Sequence, residues 1–103
     1  MYEPIKKEQK LNALILKAVS NPVRIYLLEE IRNKKICVCE LAKKLNMSFG
    51  AISKHFSVLK NAGLVYEERD GNNIYYRLTC ECIFDLVETS KQVFDCINKK
   101  RRL

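Results

Sequence analysis

The sequence predicts a mainly α-helical domain that carries one small β-hairpin. The 103 residues are 48% hydrophobic but include only three glycines and two prolines, which is typical of a helix-rich domain and excludes a disordered or collagen-like chain. Apolar residues recur at helical spacing along most of the chain. One segment, residues 70–73, instead has the turn chemistry of a hairpin. A chain of this length makes one domain, residues 1–103.

Two helices are predicted before residue 34. The first spans about residues 5–19, and one of its faces carries apolar side chains at i, i+3, i+4 and i+7: Leu11, Leu14, Ile15 and Ala18. The second begins at Pro22, because Asn21 suits an N-cap and proline suits the first helical position. Its apolar side is formed by Val23, Ile25, Tyr26, Leu27, Leu28 and Ile31.

Two shorter helices follow, over about residues 38–45 and 49–61. Cys37 and Glu40 are spaced as in a capping box at the start of the third helix, with cysteine in the place of serine or threonine. Ser48 suits the N-cap of the fourth helix, and Gly63 suits the position that follows its end. Asn46-Met47 separates the two helices, so we expect a tight turn between them.

The hairpin and a last helix complete the chain. Residues 64–69 and 74–79 are predicted strands around the turn at 70–73. The last helix spans about residues 81–98, and the basic residues 99–102 form a solvated tail. Apolar residues recur along this helix at three and four residues: Ile83, Leu86, Val87, Val93, Phe94 and Ile97. Such an apolar stripe packs either against the core of the domain or against the partner in a dimer, and both are consistent with the sequence.

Charge and cysteine content restrict the functional classes. Lys and Arg number 19 against 12 Asp and Glu, so the formal net charge is +7 and an anionic partner is indicated. No apolar run is long enough to span a bilayer and the first ten residues contain no apolar signal segment, so we expect a cytoplasmic protein without a membrane partner. Because cytosolic thiols stay reduced, we do not expect a disulfide scaffold from the five cysteines.

The order of the elements predicts a winged helix-turn-helix, with the helix-turn-helix at about 38–61 and the wing at about 64–79. In that arrangement the helix at 49–61 enters the major groove of DNA. Its polar side chains can reach base edges or phosphates, and those of the hairpin can reach phosphates or the minor groove. The candidates are Ser48, Ser53, Lys54, His55, Ser57 and Lys60 on or beside the helix, and Arg69, Asn72, Asn73 and Arg77 on the hairpin.

Residues 20–79 resemble the ArsR/SmtB family of winged-helix metal-sensing repressors. The resemblance is carried by residues 21–25 (NPVRI), 37–42 (CVCELA), 48–56 (SFGAISKHF), 59–65 (LKNAGLV) and 69–78 (RDGNNIYYRL). It implies a homodimer built from the first and last helices, a double-stranded operator as partner, and DNA contacts from Ser48, Ala51, Ser53, Lys54 and His55. Many relatives have Gln followed by Pro or Ser where this chain has Phe49-Gly50. Phe49 can touch a thymine methyl group but cannot donate a hydrogen bond to a base.

Cys37 and Cys39 are the candidate metal ligands. Backbone N–H groups and the dipole at a helix N-terminus favour thiolates, which bind soft ions such as As(III), Sb(III), Cd(II), Pb(II) or Zn(II). The segment also resembles the Cys-Val-Cys inducer motif of arsenic- and cadmium-type family members. Ala42 stands where the arsenic-type motif can carry a third cysteine, and residues 1–36 contain no cysteine to act as in cadmium-type members. A third cysteine ligand, if the site uses one, must therefore come from Cys80, Cys82 or Cys96.

Three features of the remaining sequence bear on metal binding. Cys80 and Cys82 form a second Cys-x-Cys pair at a helix start, which we expect near the first pair, within a protomer or across the dimer. Residues 81–98 contain no histidine, which excludes the zinc site that other family members have on the last helix. His55 is the only histidine, so it is a poor candidate for a metal ligand.

The sequence therefore predicts a repressor that releases its operator when a thiophilic metal or metalloid binds, with As(III) favoured over Cd(II), Pb(II) or Zn(II). The alternative is a redox or persulfide switch in which Cys37 or Cys39 pairs with Cys80, Cys82 or Cys96. A small thiol enzyme is less favoured, because the chain has no Cys-x-x-Cys motif and no glycine-rich phosphate loop. An interaction module is also less favoured, and failure to bind promoter DNA at low salt would revive it. We predict that the protein is not an enzyme.

Overall fold

Five helices and one antiparallel hairpin make up the computed structural model, which describes residues 3–102. The predicted fold class and the order of the elements are confirmed. In chain order the elements are α1 (Lys7–Val19), α2 (Pro22–Asn33), α3 (Val38–Leu45), α4 (Phe49–Asn61), β1 (Val65–Asp70), β2 (Asn73–Leu78) and α5 (Ile83–Arg101).

Local capping fixes where α2 and α4 begin. The Asn21 Oδ1 accepts hydrogen bonds from the N–H groups of Val23 and Arg24, at 2.8 and 3.3 Å. The Ser48 Oγ accepts from the N–H of Ala51 at 3.1 Å. Both predicted N-caps are confirmed, and each satisfies backbone donors that have no partner within the helix.

Gly63 ends α4 and turns the chain into the hairpin. Its φ of +83° lies in the left-handed region, which glycine adopts without a steric penalty. The N–H of Gly63 donates to the Lys60 carbonyl at 2.9 Å, and the N–H of Leu64 donates to the Leu59 carbonyl at 3.0 Å. These two bonds are those of a Schellman motif, as the position of the glycine predicts.

The start of α3 differs from the prediction. The Cys37 side chain caps no backbone N–H, so the predicted capping box does not form. Instead the Cys37 Sγ donates to the Glu40 carboxylate, at 3.3 Å. A thiol is a weaker acceptor than a hydroxyl, which is why cysteine does not replace serine or threonine in this motif.

The last helix is displaced along the chain relative to the prediction, because α5 begins at Ile83 and continues to Arg101, and so includes most of the segment assigned to a solvated tail. Lys99, Lys100 and Arg101 occupy its last turn. Positive charges there interact favourably with the carbonyl end of the helix dipole, and no glycine or proline stops the helix earlier. Their side chains are nonetheless exposed, as predicted.

The core lies between α2, α3, α4 and the hairpin, where its largest fully buried side chains are Phe56, Leu27, Leu28, Leu41, Ile52 and Leu59. The ring of Phe56 on α4 stacks on the ring of Tyr76 on β2, with their centroids 4.1 Å apart and their planes 6° from parallel. Aromatic stacking of this kind adds to the burial of the two rings. It holds the hairpin in a defined position beside α4.

The hairpin pairs Val65 with Leu78 and Asp70 with Asn73 across a two-residue turn. Gly71 occupies the first turn position with φ of +63°, as in a type II′ turn. Cys37 forms an isolated antiparallel bridge with Tyr75, so the link between α2 and α3 lies along the free edge of β2. None of the helices in residues 3–102 is both long and apolar enough to cross a bilayer.

Candidate nucleic-acid interface and thiol sites

Helix α4 carries most of the predicted DNA-contacting residues, but only some of them are exposed. Lys54 is exposed and takes part in no ion pair within the described residues. Ala51 and Ser53 are half-buried. Phe49, at the first position of the helix, is 46% exposed. Helix α4 therefore offers an exposed cation, Lys54, and an apolar ring, Phe49, at its start, where base edges and the thymine methyl group are read.

His55 lies on a different side of α4 from Lys54. It is half-buried, and its Nδ1 lies 3.2 Å from the Nη1 of Arg24 on α2. Because a guanidinium has only donors, Nδ1 is the acceptor and the neutral ring carries its proton on Nε2. Burial, and then the charge of Arg24, lower the pKa of His55 below its ordinary value of 6.5. Only Nε2 is left for another partner.

Arg24 is a site residue to which the sequence analysis assigned no role. Its Nε donates to the Ala18 carbonyl at 2.6 Å, and its Nη2 lies 3.5 Å from the Lys17 carbonyl. Both carbonyls lie in the last turn of α1. The Lys17 carbonyl also accepts from the N–H and the Oγ of Ser20, at 3.3 and 2.8 Å, so the contact with Ala18 is the main one that Arg24 makes with α1. One guanidinium thus contacts α1 and α4 from its position on α2.

On the wing, the basic residues that are predicted to bind DNA phosphates form ion pairs with glutamates. The Arg69 Nε donates to the Glu67 Oε1 at 2.8 Å, and the Lys60 Nζ lies 3.6 Å from the other oxygen of Glu67. The Arg69 hydrogen bond holds the pKa of Glu67 below its ordinary value. Arg77 lies 3.8 Å from Glu68. Exposed ion pairs of this kind are worth about 0–1 kcal/mol, so a phosphate can compete with them.

The tip of the wing is formed by Gly71, Asn72 and Asn73, all of which are exposed. Asp70, next to the tip, accepts a hydrogen bond from Lys35 at 2.8 Å, and the ammonium of Lys35 lies 4.6 Å from the ring centroid of Tyr75. These contacts join the α2–α3 link to the wing. Asn72 keeps its side chain available at the turn.

The structure places the first Cys-x-Cys pair in two environments. Cys37 is buried, with 7% exposure, whereas Cys39 is exposed on the first turn of α3. Both sulfurs belong to free cysteines, and Glu40 is the hydrogen-bond partner of Cys37. One protomer therefore offers two soft donors at a helix start. Within residues 3–102, no group of three or more His, Cys, Asp or Glu side chains is arranged to hold a metal ion.

The second pair, Cys80 and Cys82, is joined by a disulfide. One bond between cysteines two residues apart is not a disulfide scaffold, but it leaves Cys80 and Cys82 without the free thiolates that bind a soft metal ion. Their Cα atoms are 5.4 Å apart in the turn before α5, which is within the range that a disulfide can bridge. Cys82 is the N-cap residue of α5, and Cys96 is a free, exposed cysteine near the other end of that helix.

The two pairs are not neighbours within a protomer, contrary to one of the two placements predicted. The backbone of Cys37 forms its β-bridge with Tyr75, near the wing tip. The hairpin pairing continues in the other direction to Thr79, whose N–H donates to the Leu64 carbonyl at 3.0 Å. A strand rises about 3.3 Å per residue, so Thr79 lies roughly 13 Å beyond Tyr75. Cys80 follows Thr79 at that far end of the hairpin. The prediction overlooked how close to the wing tip the α2–α3 link meets β2.

Exposed apolar side chains are concentrated on α1 and α5. The radius of gyration is 16.3 Å, whereas a compact domain of this length has about 13 Å. Every residue from Glu88 to Arg102 is exposed except the half-buried Asn98. The exposed large apolar side chains of these two helices are Leu11, Leu14, Leu16, Val93, Phe94 and Ile97, which we call the α1–α5 face. An apolar cavity of about 320 Å³ opens between α1, α2 and α5.

Comparison with known proteins gives concordant matches. The model of the family "Bacterial regulatory protein, arsR family" matches residues 21–67. The transcriptional repressor SmtB of Mycobacterium tuberculosis is 39% identical over 64 residues, which cover 62% of this chain and 47% of SmtB, so the match spans about half of that relative. The arsenical resistance operon repressor of Staphylococcus xylosus is 30% identical over 92 residues, covering 84% of this chain and 88% of that protein.

A solved structure matches over most of its length. It is the homodimeric winged helix-turn-helix DNA-binding domain of a possible ArsR-family transcriptional regulator from Mycobacterium bovis. The TM-score is 0.73 and the identity is 26%, with 92% of this chain and 91% of that chain covered. The similarity therefore includes α1 and α5 as well as the central helices and the wing.

Proposed function

The chain belongs to the ArsR family of bacterial regulatory proteins, and we propose that it is a homodimeric transcriptional repressor that binds operator DNA through α4 and the wing. The observation that carries this proposal is the exposed face of α4, with Lys54 unpaired and the wing held beside the helix by the Phe56–Tyr76 stack. The named relatives are transcriptional regulators, which is a non-enzymatic class.

Within the proposed interface the residues have separate tasks. Phe49, Ala51 and Ser53 face the major groove and select bases, by apolar contact or by a hydroxyl hydrogen bond. Lys54 and Lys60 neutralise phosphates. Ser48 maintains the start of α4 through its cap, which aims the first turn. The wing residues Arg69, Asn72 and Arg77 contact the flanking backbone or minor groove, with Arg69 and Arg77 leaving their glutamate partners to do so.

The α1–α5 face supports the dimer. Its apolar side chains remain in contact with water in a single chain, and a concentration of large exposed apolar side chains marks an interaction site. A second copy of the chain covers it with the same surface, as a two-fold dimer requires. Two copies of α4 then face DNA half-sites about one helical turn apart.

For the inducer, we propose a thiophilic metal or metalloid bound by Cys37 and Cys39, with As(III) favoured over Cd(II), Pb(II) and Zn(II). The donor set fits in part, because both cysteines are free and soft ions select thiolates. Within residues 3–102 no third cysteine joins this pair in a possible metal site, so we assign any further donor to the partner subunit. The exposed Cys96 on α5 is the free candidate for it. A bound ion supplies the energy that favours a conformation with low affinity for DNA.

A titration of operator DNA with the protein, with and without arsenite, Cd(II) or Pb(II), tests the inducer site. We expect each effective ion to weaken DNA binding by the wild type and to leave the double variant Cys37→Ser, Cys39→Ser unaffected. By linkage, DNA must weaken binding of the ion by the same factor. Cys96→Ser serves as the matched single variant, since it loses the response only if Cys96 is the third donor. A double variant that responds like the wild type to all three ions would refute the assignment.

The Cys80–Cys82 disulfide favours a second candidate function, in which the same repressor responds to thiol redox state or persulfides. Two electrons and two protons from a dithiol reductant would open the disulfide to two thiols, while the reductant itself becomes a disulfide. Cys82 is the N-cap residue of α5, so opening the bond frees the start of a helix that contributes to the α1–α5 face.

The test of the redox candidate compares DNA affinity before and after reduction with dithiothreitol, with mass spectrometry to follow the gain of two hydrogen atoms or the transfer of a sulfur atom. An affinity that changes on reduction in the wild type but not in the variant Cys80→Ser, Cys82→Ser supports it. Equal affinities of the oxidised and reduced wild type would exclude it.

A further inference from the structure

The side chain of Arg24 joins three helices at one point. It lies on the first turn of α2, donates to the Ala18 carbonyl on α1 at 2.6 Å, and contacts the ring of His55 on α4 at 3.2 Å. The Lys17 carbonyl lies 3.5 Å from its remaining nitrogen. The planar guanidinium has donors in a fixed fork, so it can hold several acceptors at set positions at once, whereas a lysine ammonium acts as a point charge.

Each contact lies next to a surface that the proposed function uses. Ala18 follows the exposed part of α1, which contributes to the α1–α5 face. His55 follows Ser53 and Lys54 directly on α4, so the direction of its ring and that of the DNA-facing side chains are set by the same turn of helix. A shift of α1 relative to α2 therefore moves the Arg24 guanidinium and changes its contact with the His55 ring on α4.

We propose that Arg24 is a positioning residue, which sets the orientation of α4 for sequence-selective DNA binding by holding neutral His55 against the end of α1. This inference rests on the proposed function and deepens it. In this proposal His55 orients α4 by accepting a hydrogen bond from Arg24 at Nδ1, instead of contacting DNA as a free side chain. The Arg24–His55 contact then connects the α1–α5 face physically to the DNA-binding face.

The contact requires an unprotonated Nδ1. When the ring gains a proton, Nδ1 becomes a donor and the ring a cation, and both changes oppose the guanidinium. Among the charged groups on helices packed against α4, Arg24 is the one whose charge lowers the pKa of His55. Lys17 on α1 lines the same groove between α1 and α4 as Arg24. Within the described residues, no charged side chain of α3 or β1 contributes to the shift of the His55 pKa. Acid therefore releases the contact without another group compensating.

The test measures a specificity ratio, which is the affinity for the duplex that the wild type selects from a random pool divided by the affinity for a shuffled duplex. Three proteins are compared between pH 5.5 and 8: the wild type, Arg24→Lys and His55→Asn. The Asn Oδ1 branches from the same position as the His Nδ1, so His55→Asn keeps an acceptor but cannot titrate. Circular dichroism verifies that each variant is folded.

We expect Arg24→Lys to reduce the ratio by about tenfold at pH 7.5, a typical size for coupling between sites. Because the charge is kept, its affinity for the shuffled duplex stays unchanged. The wild-type ratio should fall below pH 6.5, and the ratio of His55→Asn should stay near the wild-type value at pH 7.5 and remain flat as the pH falls.

Other results distinguish a failure of the proposed function from a failure of this inference alone. A wild type that binds both duplexes equally overturns the proposed function and this inference with it. A selective wild type whose ratio survives Arg24→Lys overturns this inference alone. If Arg24→Lys does not fold, a pH dependence that is the same in His55→Asn and the wild type overturns it.

Discussion

The Nη1 of Arg24 lies 3.2 Å from the Nδ1 of His55, although 31 residues separate them in the sequence. This contact joins the second helix to the helix that we assign to the major groove. It also accounts for the one histidine of the chain, which is half-buried and holds a guanidinium rather than pointing freely to solvent.

The first prediction concerns the pH dependence of stability. The folded-state pKa of His55 lies below the 6.5 of the unfolded chain, first because of burial and then because of Arg24. The unfolded chain therefore takes up the proton at a higher pH than the folded protein. His55 should cost no stability well above pH 6.5, and should reduce the free energy of unfolding as the pH falls through 6.5 towards the folded-state pKa.

Urea unfolding of the wild type and His55→Asn between pH 5 and 8 measures this effect. The difference between the two free energies of unfolding should be constant at high pH and should shift in favour of the variant as the pH falls. A difference that stays constant over the whole range would show that His55 does not titrate differently on folding.

The second prediction concerns Lys54, the unpaired cation of α4. Lys54→Gln should weaken binding to every duplex by a similar factor, because a phosphate contact carries no sequence information. The slope of log affinity against log salt concentration should fall by about 1. The matched control is Lys91→Gln on α5, which removes an equal charge away from α4 and the wing. If both variants change the slope equally, general charge and not the α4 face determines the affinity.

The third prediction concerns the α1–α5 face, of which Phe94 is 61% exposed in a single chain. Phe94→Glu should shift the protein from dimer to monomer, because a carboxylate would have to be buried against apolar groups. Gln92→Glu adds the same charge about 200° around α5, away from the apolar side chains, and should leave the dimer intact. Sedimentation equilibrium gives both association constants. A Phe94→Glu variant that dimerises like Gln92→Glu would place the interface elsewhere.

Local signals made most of the fold predictable. Asn21, Ser48 and Gly63 act on backbone groups within a few residues, so their types and positions alone located the ends of helices. The end of α5 was less predictable, because Lys99 to Arg101 favour a helix end electrostatically but contain no stop signal. Cys37 satisfied the spacing of a capping box but lacks the acceptor strength that the motif needs.

Parts of the candidate site depend on tertiary contacts that the sequence analysis did not resolve. The position of His55 did contain a usable signal: it lies three residues after Ile52 and four before Leu59, so it borders the buried row of α4. The identity of its partner, Arg24, follows only from how α1, α2 and α4 pack. The distance between the two Cys-x-Cys pairs likewise depends on where the α2–α3 link meets β2.

Fluorescence anisotropy of the wild type with two labelled duplexes tests the central claim most directly. One duplex is selected by the protein from a random pool, the other has the same base composition in shuffled order, and both are titrated at physiological salt. A sequence-selective repressor should bind the selected duplex more tightly by about a factor of 10³ or more. Equal affinities for the two duplexes, with the same salt dependence, would show that the basic surface attracts DNA without reading it and would contradict the account.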